Sequence, residues 1–331
     1  MSGALAAAIL GLLALQGCSG PPLEMGGQAA SGAGRHDEAA GQGERQAPLA
    51  VRYVEVGDVR LRYAEQGSGE PPVVLLHGNG SMLEDFATSG LLEMTGGRHR
   101  VVVFDRPGYG RSERPRDRIW TPEAQAGLLA AAFARLGIER PVVVGHSWGA
   151  LVALALALDQ PGSVSGLVLV SGYYFPVPRP EAVLAAVPAL PVLGDVLRYT
   201  VWPLFTALLE PGLTVAAFGP APVPARFLAG FPFVWALGPE QIRASAEESG
   251  LLMPSAASLM RRYGDLRVPV AIVAGAEDRI VDTGRQSVRL HGEVPGSRLW
   301  VVPGEGHMVH HGGAGVVAGA IEAVSAMRRD R

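Results

Sequence analysis

The sequence predicts an α/β protein with a mostly parallel sheet, helices on both faces and a mainly helical insertion. Short runs rich in valine and leucine alternate with longer apolar or amphipathic segments, which is typical of strands joined by helices. This alternation stops after residue 172 and resumes at residue 264, and the segment between holds 13 of the 26 prolines. We therefore expect a core of residues 49–172 and 264–331, with residues 173–263 as a cap.

The core elements are expected at short, well-bounded positions. The alternating run 51–66 is broken by Gly57-Asp58 and predicts a β-hairpin, and Thr121 followed by Pro122 predicts a helix start. Further strands are expected at residues 72–76, 100–104, 142–144, 167–170, 269–274 and 298–302, and helices at 122–136, 150–158, 283–291 and 316–327. Because parallel strands end at one edge of the sheet, the motifs that follow them should converge there.

Composition excludes several classes of function. The chain has 331 residues, of which 48% are hydrophobic, so it can bury a substantial core. With 28 basic and 31 acidic residues and no basic cluster, it does not suit nucleic acid as a partner. Cys18 is the only cysteine, which excludes an intramolecular disulfide and a cysteine zinc site.

The N-terminal segment is typical of export. The apolar run 4–15 is too short to span a bilayer, which needs about 20 residues, and it suits a signal peptide. The order Leu15-Gln16-Gly17-Cys18 resembles a bacterial lipoprotein signal, although Gln16 is large and no Lys or Arg precedes the run. We expect a signal in residues 1–18 with lipidation of Cys18, and a flexible tether in residues 19–48 that is nearly devoid of large apolar residues. An ordinary secretory signal giving a secreted or periplasmic protein, or an apolar start without function, remains open.

The segment Gly145-His146-Ser147-Trp148-Gly149 lies between a valine run and an apolar helix. This is the setting that a G-x-S-x-G nucleophile elbow requires, because the strand turns directly into the helix and projects the serine. Glycines at both ends avoid Cβ collisions where strand and helix come close. The helix start also offers free backbone N–H groups to a developing oxyanion.

A serine nucleophile needs a base and a group that orients the base. His307 and Asp278 each follow a strand after the elbow, and they are the expected base and acid. Asp105 also follows a strand but is expected to hold its turn, and Asp282 is a weaker substitute in a solvated loop.

These motifs together resemble the α/β-hydrolase superfamily over residues 51–327. The matches are the loop His77-Gly78-Asn79-Gly80, the turn 105–112, the elbow, the turn 275–278 and Gly306-His307, with the nucleophile, acid and base in that chain order. The resemblance implies an α/β-hydrolase fold with a cap, a Ser147–His307–Asp278 triad, and an oxyanion hole made by the backbone N–H groups of Trp148 and Asn79. It implies no cofactor.

The nucleophile narrows the reaction. Haloalkane dehalogenases and epoxide hydrolases of this fold carry aspartate in the elbow, and this chain resembles the dehalogenases in its Asn79–Trp148 pair but has Ser147. A serine attacking an alkyl halide or an epoxide would leave a stable ether. We therefore expect hydrolysis of carboxylic esters of small to medium apolar acids. Carbon–carbon bond hydrolysis, acyl transfer, perhydrolysis and a non-catalytic ligand-binding lipoprotein remain alternatives.

Three further expectations concern histidines and the cap. His146 is expected to point away from the serine. His310 and His311 are expected to be polar residues at the start of the last helix and not a metal site, because no carboxylate partner shows suitable spacing. The aromatic residues of the cap are expected to turn inward and line an apolar pocket, with a membrane-resting face as the alternative.

Overall fold

Eight strands form one sheet in the computed structural model, which describes residues 49–329. The strands are β1 (Val51–Val56), β2 (Val59–Gln66), β3 (Val73–Leu76), β4 (Val101–Phe104), β5 (Val142–His146), β6 (Gly166–Val170), β7 (Val270–Gly275) and β8 (Arg298–Val302). Their order is β1-β2-β4-β3-β5-β6-β7-β8. Only the β1–β2 and β2–β4 pairs are antiparallel, which confirms the predicted mostly parallel sheet.

Helices connect the strands and cover the sheet. They are α1 (Leu83–Ser89), α2 (Leu91–Gly96), α3 (Pro122–Leu136), α4 (Trp148–Asp159), α5 (Pro180–Ala185), α6 (Leu193–Tyr199), α7 (Trp202–Phe218), α8 (Ala225–Gly230), α9 (Phe233–Ala236), α10 (Pro239–Leu259), α11 (Arg289–Glu293), α12 (Val309–Gly312) and α13 (Ala314–Arg329). A π-helical turn, Gly284–Val288, precedes α11 and belongs to the predicted helix 283–291.

Local chemistry explains the boundaries that the sequence predicted. Gly57 has a φ of 61°, which suits glycine, and it opens the turn between β1 and β2. The side chain of Thr121 accepts a hydrogen bond from the backbone N–H of Ala124, and Pro122 occupies the first turn of α3. The predicted strand and helix positions are confirmed to within a few residues, and α1 and α2 are additional helices that the sequence pattern did not indicate.

The sheet is buried on both faces. Strands β3 to β7 consist almost entirely of residues with no exposed surface, and α4 has ten buried residues of its twelve because it lies between the sheet and other helices. One apolar cluster includes α3 and α4, and a second includes α1, α2 and α13 on the other side. This two-sided burial explains why the strands are continuous apolar runs.

Between β6 and β7 the structure describes only helices and turns, from α5 to α10. Residues from Leu49 onward, including these helices, form one compact unit with its own hydrophobic core. The predicted signal, the lipidation site Cys18 and the tether lie outside the described residues.

Seven of the twelve aromatic side chains between residues 173 and 263 are buried and only Tyr199 is exposed, as expected, but the aliphatic side chains of this segment do not all turn inward. Helix α7 has a single buried residue, Phe218, and α5 has none. Large apolar side chains of α5, α6 and α7 instead face solvent, including Leu204 at 75% exposure and Leu208 at 70%.

Among the described helices, no single one is long and apolar enough to cross a membrane. The bent pair Pro180–Ala189 and Leu193–Tyr199 has sufficient length and apolar composition when its two helices are taken together.

Candidate active site

Ser147 is the single residue between β5 and α4. Strand β5 ends at His146 and α4 begins at Trp148, so Ser147 makes the whole turn, with φ 52° and ψ −115°. Residues other than glycine rarely adopt these backbone angles, and such backbone strain is concentrated at functional sites. A Cβ on Gly145 would lie 2.4 Å from the carbonyl oxygen of Gly149, so glycine is required where the strand and helix meet.

The predicted base and acid are hydrogen-bonded to each other. His307 follows β8 and Asp278 follows β7, and the distance from His307 Nδ1 to Asp278 Oδ2 is 2.8 Å. The other oxygen, Asp278 Oδ1, accepts hydrogen bonds of 2.8 Å from the backbone N–H groups of Ile280 and Val281. The carboxylate is thereby fixed, and with the Nδ1 proton donated to it, His307 Nε2 is left to accept a proton.

His146 links the turn at Ser147 to His307. Its Nε2 donates a 3.1 Å hydrogen bond to the backbone carbonyl of His307, and the two rings are 4.8 Å apart. Burial lowers the pKa of His146 well below its ordinary value, and nearby His310 and His307 lower it further. His146 is therefore neutral with its proton on Nε2, and it positions the backbone of the base relative to the residue preceding Ser147.

The loop after β3 lies directly against Ser147. A Cβ on Gly78 would be 3.0 Å from the Cβ of Ser147, tighter than most Cβ contacts, so glycine lets the loop backbone pack directly against Ser147. His77 stabilises the loop, because its Nδ1 donates to the carbonyl of Gly78 at 2.8 Å and its Nε2 accepts from the backbone N–H of Arg106 at 3.0 Å.

Two backbone donors at this corner are open to a ligand oxygen. Trp148 is the first residue of α4, so its N–H lies outside the helical hydrogen-bond ladder. The N–H of Asn79 has no hydrogen-bond partner among residues 49–329. The Asn79 side chain is engaged elsewhere, donating to Ser245 O and Ser249 Oγ at 3.2 Å and accepting from Tyr109 at 2.9 Å.

The two competing acids do not hydrogen-bond to His307. Asp105 is fully buried and accepts a 2.8 Å hydrogen bond from Arg62, and burial raises its pKa to about 6 even though Arg62 opposes the shift. It also accepts from the backbone N–H of Arg111 and so holds the turn after β4. Asp282 accepts from the backbone N–H of Arg285 at 2.6 Å at the start of a helical turn.

A buried arginine that the sequence analysis did not single out supports the loop after β3. The side chain of Arg106 has no exposed surface and donates to the carbonyls of His77 at 2.7 Å and Gly78 at 2.9 Å. Its Nη2 also donates to Glu248 on α10 at 3.0 Å, and Glu248 is itself fully buried. Arg106 therefore joins the loop beside Ser147 to the helical segment.

Glu248 is satisfied by further donors. It accepts hydrogen bonds from Tyr109 at 2.7 Å and from Gln125 at 2.9 Å, in addition to Arg106. No sequence signal indicated this network, because Glu248 is 142 positions from Arg106.

A second buried network lies behind the base. The Nε2 atoms of His310 and His311 donate to the same oxygen of Asp85, at 3.0 and 2.8 Å, and Ser81 donates to the other oxygen at 2.9 Å. The ring of His310 lies 4.4 Å from that of His146, so the network extends to the elbow. The expectation for His310 and His311 is wrong, because both are buried in α12, ahead of the last helix, and Asp85 supplies the carboxylate partner that sequence spacing did not reveal.

This cluster is the one group among the described residues with the ligand types and proximity of a metal site. The ligand atoms of Asp85, His310 and His311 lie within 4.8 Å of one another. Coordination would require both histidines to give up the Nε2 protons that they now donate to Asp85. Because these hydrogen bonds already satisfy the carboxylate, the arrangement works as a buried hydrogen-bond network.

Asp85→Asn is expected to destabilise the protein. Burial raises the pKa of Asp85, but His310 and His311 outweigh it and hold that pKa well below 3.8. Because the pKa is lower in the folded state, the carboxylate stabilises the fold above pH 3.8, and this contribution is lost as the pH falls through the folded value. We expect the variant to lose about 3 kcal/mol of unfolding free energy near neutral pH, measured by urea denaturation.

The matched control is Asp159→Asn, which removes a partly exposed ion pair with Arg262 and should cost less than about 1 kcal/mol. The difference between wild type and Asp85→Asn should shrink below pH 3.8. Equal stability of the two proteins near neutral pH would contradict the assignment.

The chain is similar in sequence and fold to proteins of the alpha/beta hydrolase family. Residues 73–320 match the model of the alpha/beta hydrolase family. A solved structure of an alpha/beta hydrolase fold protein from Burkholderia ambifaria has a TM-score of 0.68 and 23% identity, covering 83% of this chain and 98% of the other.

Two relatives match shorter stretches. Over 129 residues the chain is 38% identical to the dihydrolipoyllysine-residue acetyltransferase component of the acetoin cleaving system of Cupriavidus necator. This aligned stretch is 39% of this chain and 34% of the relative. Over 117 residues the chain is 35% identical to 2-hydroxy-6-oxononadienedioate/2-hydroxy-6-oxononatrienedioate hydrolase 2 of Pseudomonas putida. This aligned stretch is 35% of this chain and 41% of the relative. The matches thus span less than half the length of either relative.

Proposed function

Because the chain belongs to the alpha/beta hydrolase family, we propose that it is a serine hydrolase that cleaves carboxylic esters of small to medium apolar acids through an acyl-enzyme. The observation that carries the proposal is the hydrogen bond between His307 and Asp278 beside an elbow that holds Ser147 at a strained corner. Serine becomes an effective nucleophile only when an oriented base can take its proton, and this pair supplies such a base.

The reaction proceeds in two acyl transfers. Ser147 Oγ attacks the ester carbonyl while His307 Nε2 takes its proton, and the N–H groups of Trp148 and Asn79 stabilise the oxyanion. The intermediate collapses, and His307 protonates the departing alcohol. Water then attacks the acyl-enzyme with His307 as base, which releases the carboxylic acid and restores Ser147. Asp278 holds the imidazole and stabilises its protonated form.

Apolar packing beside the base supports an apolar acyl group. Met308, next to His307, and Met82, close after the loop at Asn79, belong to one apolar cluster. Its other buried members come from the helical segment between β6 and β7, which we propose as the cap: Phe218, Phe227 and Phe231. Packing of the acyl group against this apolar cluster would favour hydrocarbon over sugars or charged groups, whose polar atoms would lose their hydrogen bonds with water.

A series of p-nitrophenyl esters tests this preference. Each buried CH₂ contributes about 0.8 kcal/mol, which corresponds to about fourfold in kcat/KM. We expect kcat/KM to rise from acetyl through butanoyl and hexanoyl esters. A monotonic fall from acetyl upward would reject an apolar acyl pocket while leaving the triad assignment intact.

Carbon–carbon bond hydrolysis is the second candidate. The relative from Pseudomonas putida is named as the hydrolase of a hydroxy-oxo-dienedioate, a compound that contains no ester, so its hydrolysis breaks a carbon–carbon bond. The same serine, base and oxyanion donors serve that reaction. Turnover of a hydroxy-oxo-dienoate with no turnover of any ester in the series would replace the ester proposal with this one.

Acyl transfer, perhydrolysis and non-catalytic ligand binding are compatible with the same residues. Product analysis with added alcohol, or with hydrogen peroxide, distinguishes the first two from hydrolysis. A binding protein would bind an apolar ester without releasing its alcohol.

We propose that the protein is exported and anchored through a lipid on Cys18, on the strength of the Leu15-Gln16-Gly17-Cys18 order. We expect Cys18→Ala expressed in a bacterial host to move from the membrane fraction toward the soluble fraction, measured by fractionation and immunoblotting. Ser19→Ala is the matched control and should fractionate as the wild type does. Equal partitioning of wild type and Cys18→Ala would contradict lipid anchoring.

A further inference from the structure

Helix α7 presents an apolar face to solvent. Of its seventeen residues only Phe218 is buried. Leu204, Leu208 and Val215 project from one side of the helix at 75%, 70% and 62% exposure. A soluble helix normally turns its apolar side toward a core, so this exposed stripe is left without a partner among the described residues.

The neighbouring helices extend this surface. Helix α6 packs against α7 and exposes Leu193, Val196 and Tyr199, and α5 exposes Val183 and Leu184. Fourteen of the twenty exposed large apolar side chains among the described residues lie between positions 183 and 234. We call the exposed apolar side chains of α5, α6 and α7 the outer apolar face. Their concentration there distinguishes it from the scattered apolar residues of an ordinary surface.

Most charges near this face are paired within the protein. Asp195 pairs with Arg198 and with Arg116, and Glu181 pairs with Arg179. Glu210 on α7 keeps its charge and accepts a hydrogen bond from Thr214. A partner recognised by charge, such as nucleic acid or a charged peptide, would therefore find little to bind. The interior of a lipid bilayer, in contrast, matches an uncharged apolar surface.

We propose that the outer apolar face docks on the surface of a lipid bilayer, with its side chains entering the boundary between headgroups and acyl chains. The chain before the described unit favours a bilayer over a second copy. Thirty residues separate Cys18 from Leu49, and at full extension they would span about 100 Å, so a lipid on Cys18 leaves any face free to reach the membrane. Tyr199 also suits a membrane interface, where one end of the ring is apolar and the other is wet.

The outer apolar face lies on a helix whose C-terminal end is close to the candidate active site. The backbone N–H of Met308 donates to the carbonyl of Ala217, in the last turn of α7, at 3.2 Å. The carbonyl of Gly219 lies against Gly306, where an added Cβ would approach it to 2.1 Å. The helix that carries the exposed stripe therefore ends beside His307, so docking would bring the active site close to lipid-dissolved esters.

The test measures binding to phosphatidylcholine vesicles by co-flotation. It uses the chain from Leu49, a compact unit with its own core, so that neither the apolar run 4–15 nor a lipid contributes. Leu204→Glu with Leu208→Glu places two carboxylates on the face, and we expect at least about a tenfold loss of binding. We call the unsubstituted chain from Leu49 the parent. Its binding to vesicles should depend little on salt concentration, because apolar contacts and not charges would drive it.

The matched control is Tyr53→Glu with Val301→Glu, which adds the same charge at exposed sites on β1 and β8, the two edges of the sheet. It should bind vesicles as the parent does. Should the α7 double variant fail to fold, Val215→Glu on the same helix face replaces it. Equal binding by parent and α7 variant, or no binding by the parent, would overturn the proposal. So would a lipid-free dimer of the parent, found by sedimentation, that the α7 substitutions dissociate.

A second readout separates this proposal from the hydrolase proposal, on which vesicle binding does not depend. The α7 variant should hydrolyse a short soluble ester as the parent does, and should be slower only on an ester embedded in vesicles. If no protein turns over the soluble ester, the proposed function fails while the binding result still stands. If the α7 variant is equally fast on both ester forms, docking does not serve catalysis and the link between the two is overturned.

Discussion

Ser147→Ala should reduce kcat/KM on the best ester of the series by about 10⁴-fold or more, because removal of the nucleophile of a triad leaves only binding and the oxyanion donors. The loss should appear in kcat, while KM changes little. The Ser147 side chain does not cap α4, so the unfolding free energy should remain close to that of the wild type. Steady-state kinetics and urea denaturation measure the two quantities.

Ser165→Ala is the matched control for this substitution. Ser165 is buried immediately before β6, at the opposite end of the strands from the elbow, and its hydroxyl has no hydrogen-bond partner among the described residues. Its loss should leave kcat/KM within about twofold of wild type. Wild-type turnover by Ser147→Ala would place the chemistry elsewhere in the chain.

Glu248→Ala is expected to be the most destabilising single substitution proposed. It removes the buried carboxylate that pairs with Arg106 and leaves a guanidinium with no exposed surface without its counter-charge. Breaking a buried pair from one side typically costs about 3–5 kcal/mol of unfolding free energy. Because Arg106 also binds the carbonyls of His77 and Gly78, kcat should fall as the loop that carries Asn79, the proposed oxyanion donor, loosens.

Glu293→Ala provides the control for this prediction. Its partner Arg289 is four residues earlier on the surface, with the two side chains 39% and 49% exposed, so the pair contributes at most about 0.5 kcal/mol. Urea unfolding of the three proteins gives the comparison. A Glu248→Ala variant as stable as Glu293→Ala would show that other acceptors satisfy Arg106.

The predictable parts of this fold depend on local chemistry. The hairpin break at Gly57, the cap at Thr121 and the elbow at Ser147 each follow from a few adjacent residues whose backbone requirements are specific. The pairing of His307 with Asp278 was predicted because both follow strands of a parallel sheet, and such strands end at one edge. The resemblance to a known family then indicated which acid to choose.

The unpredicted parts depend on distant pairings. His310 and His311 meet Asp85 across about 225 positions, and Arg106 meets Glu248 across 142, so no spacing in the sequence reveals either network. The sequence pattern also does not predict which face of α7 is exposed. A helix that is apolar on most sides gives no periodic signal to show which face is buried, and on α7 aliphatic side chains face solvent while no aromatic side chain is exposed.

Labelling with a fluorophosphonate probe shows whether Ser147 is an activated nucleophile, because such a probe phosphonylates only a serine that a neighbouring base activates. Activation of Ser147 by His307 predicts one covalent adduct on the folded protein, located by peptide mass spectrometry at Ser147, lost in Ser147→Ala and strongly slowed in His307→Ala. No adduct on the folded protein, or an adduct at another serine that persists in Ser147→Ala, would contradict it.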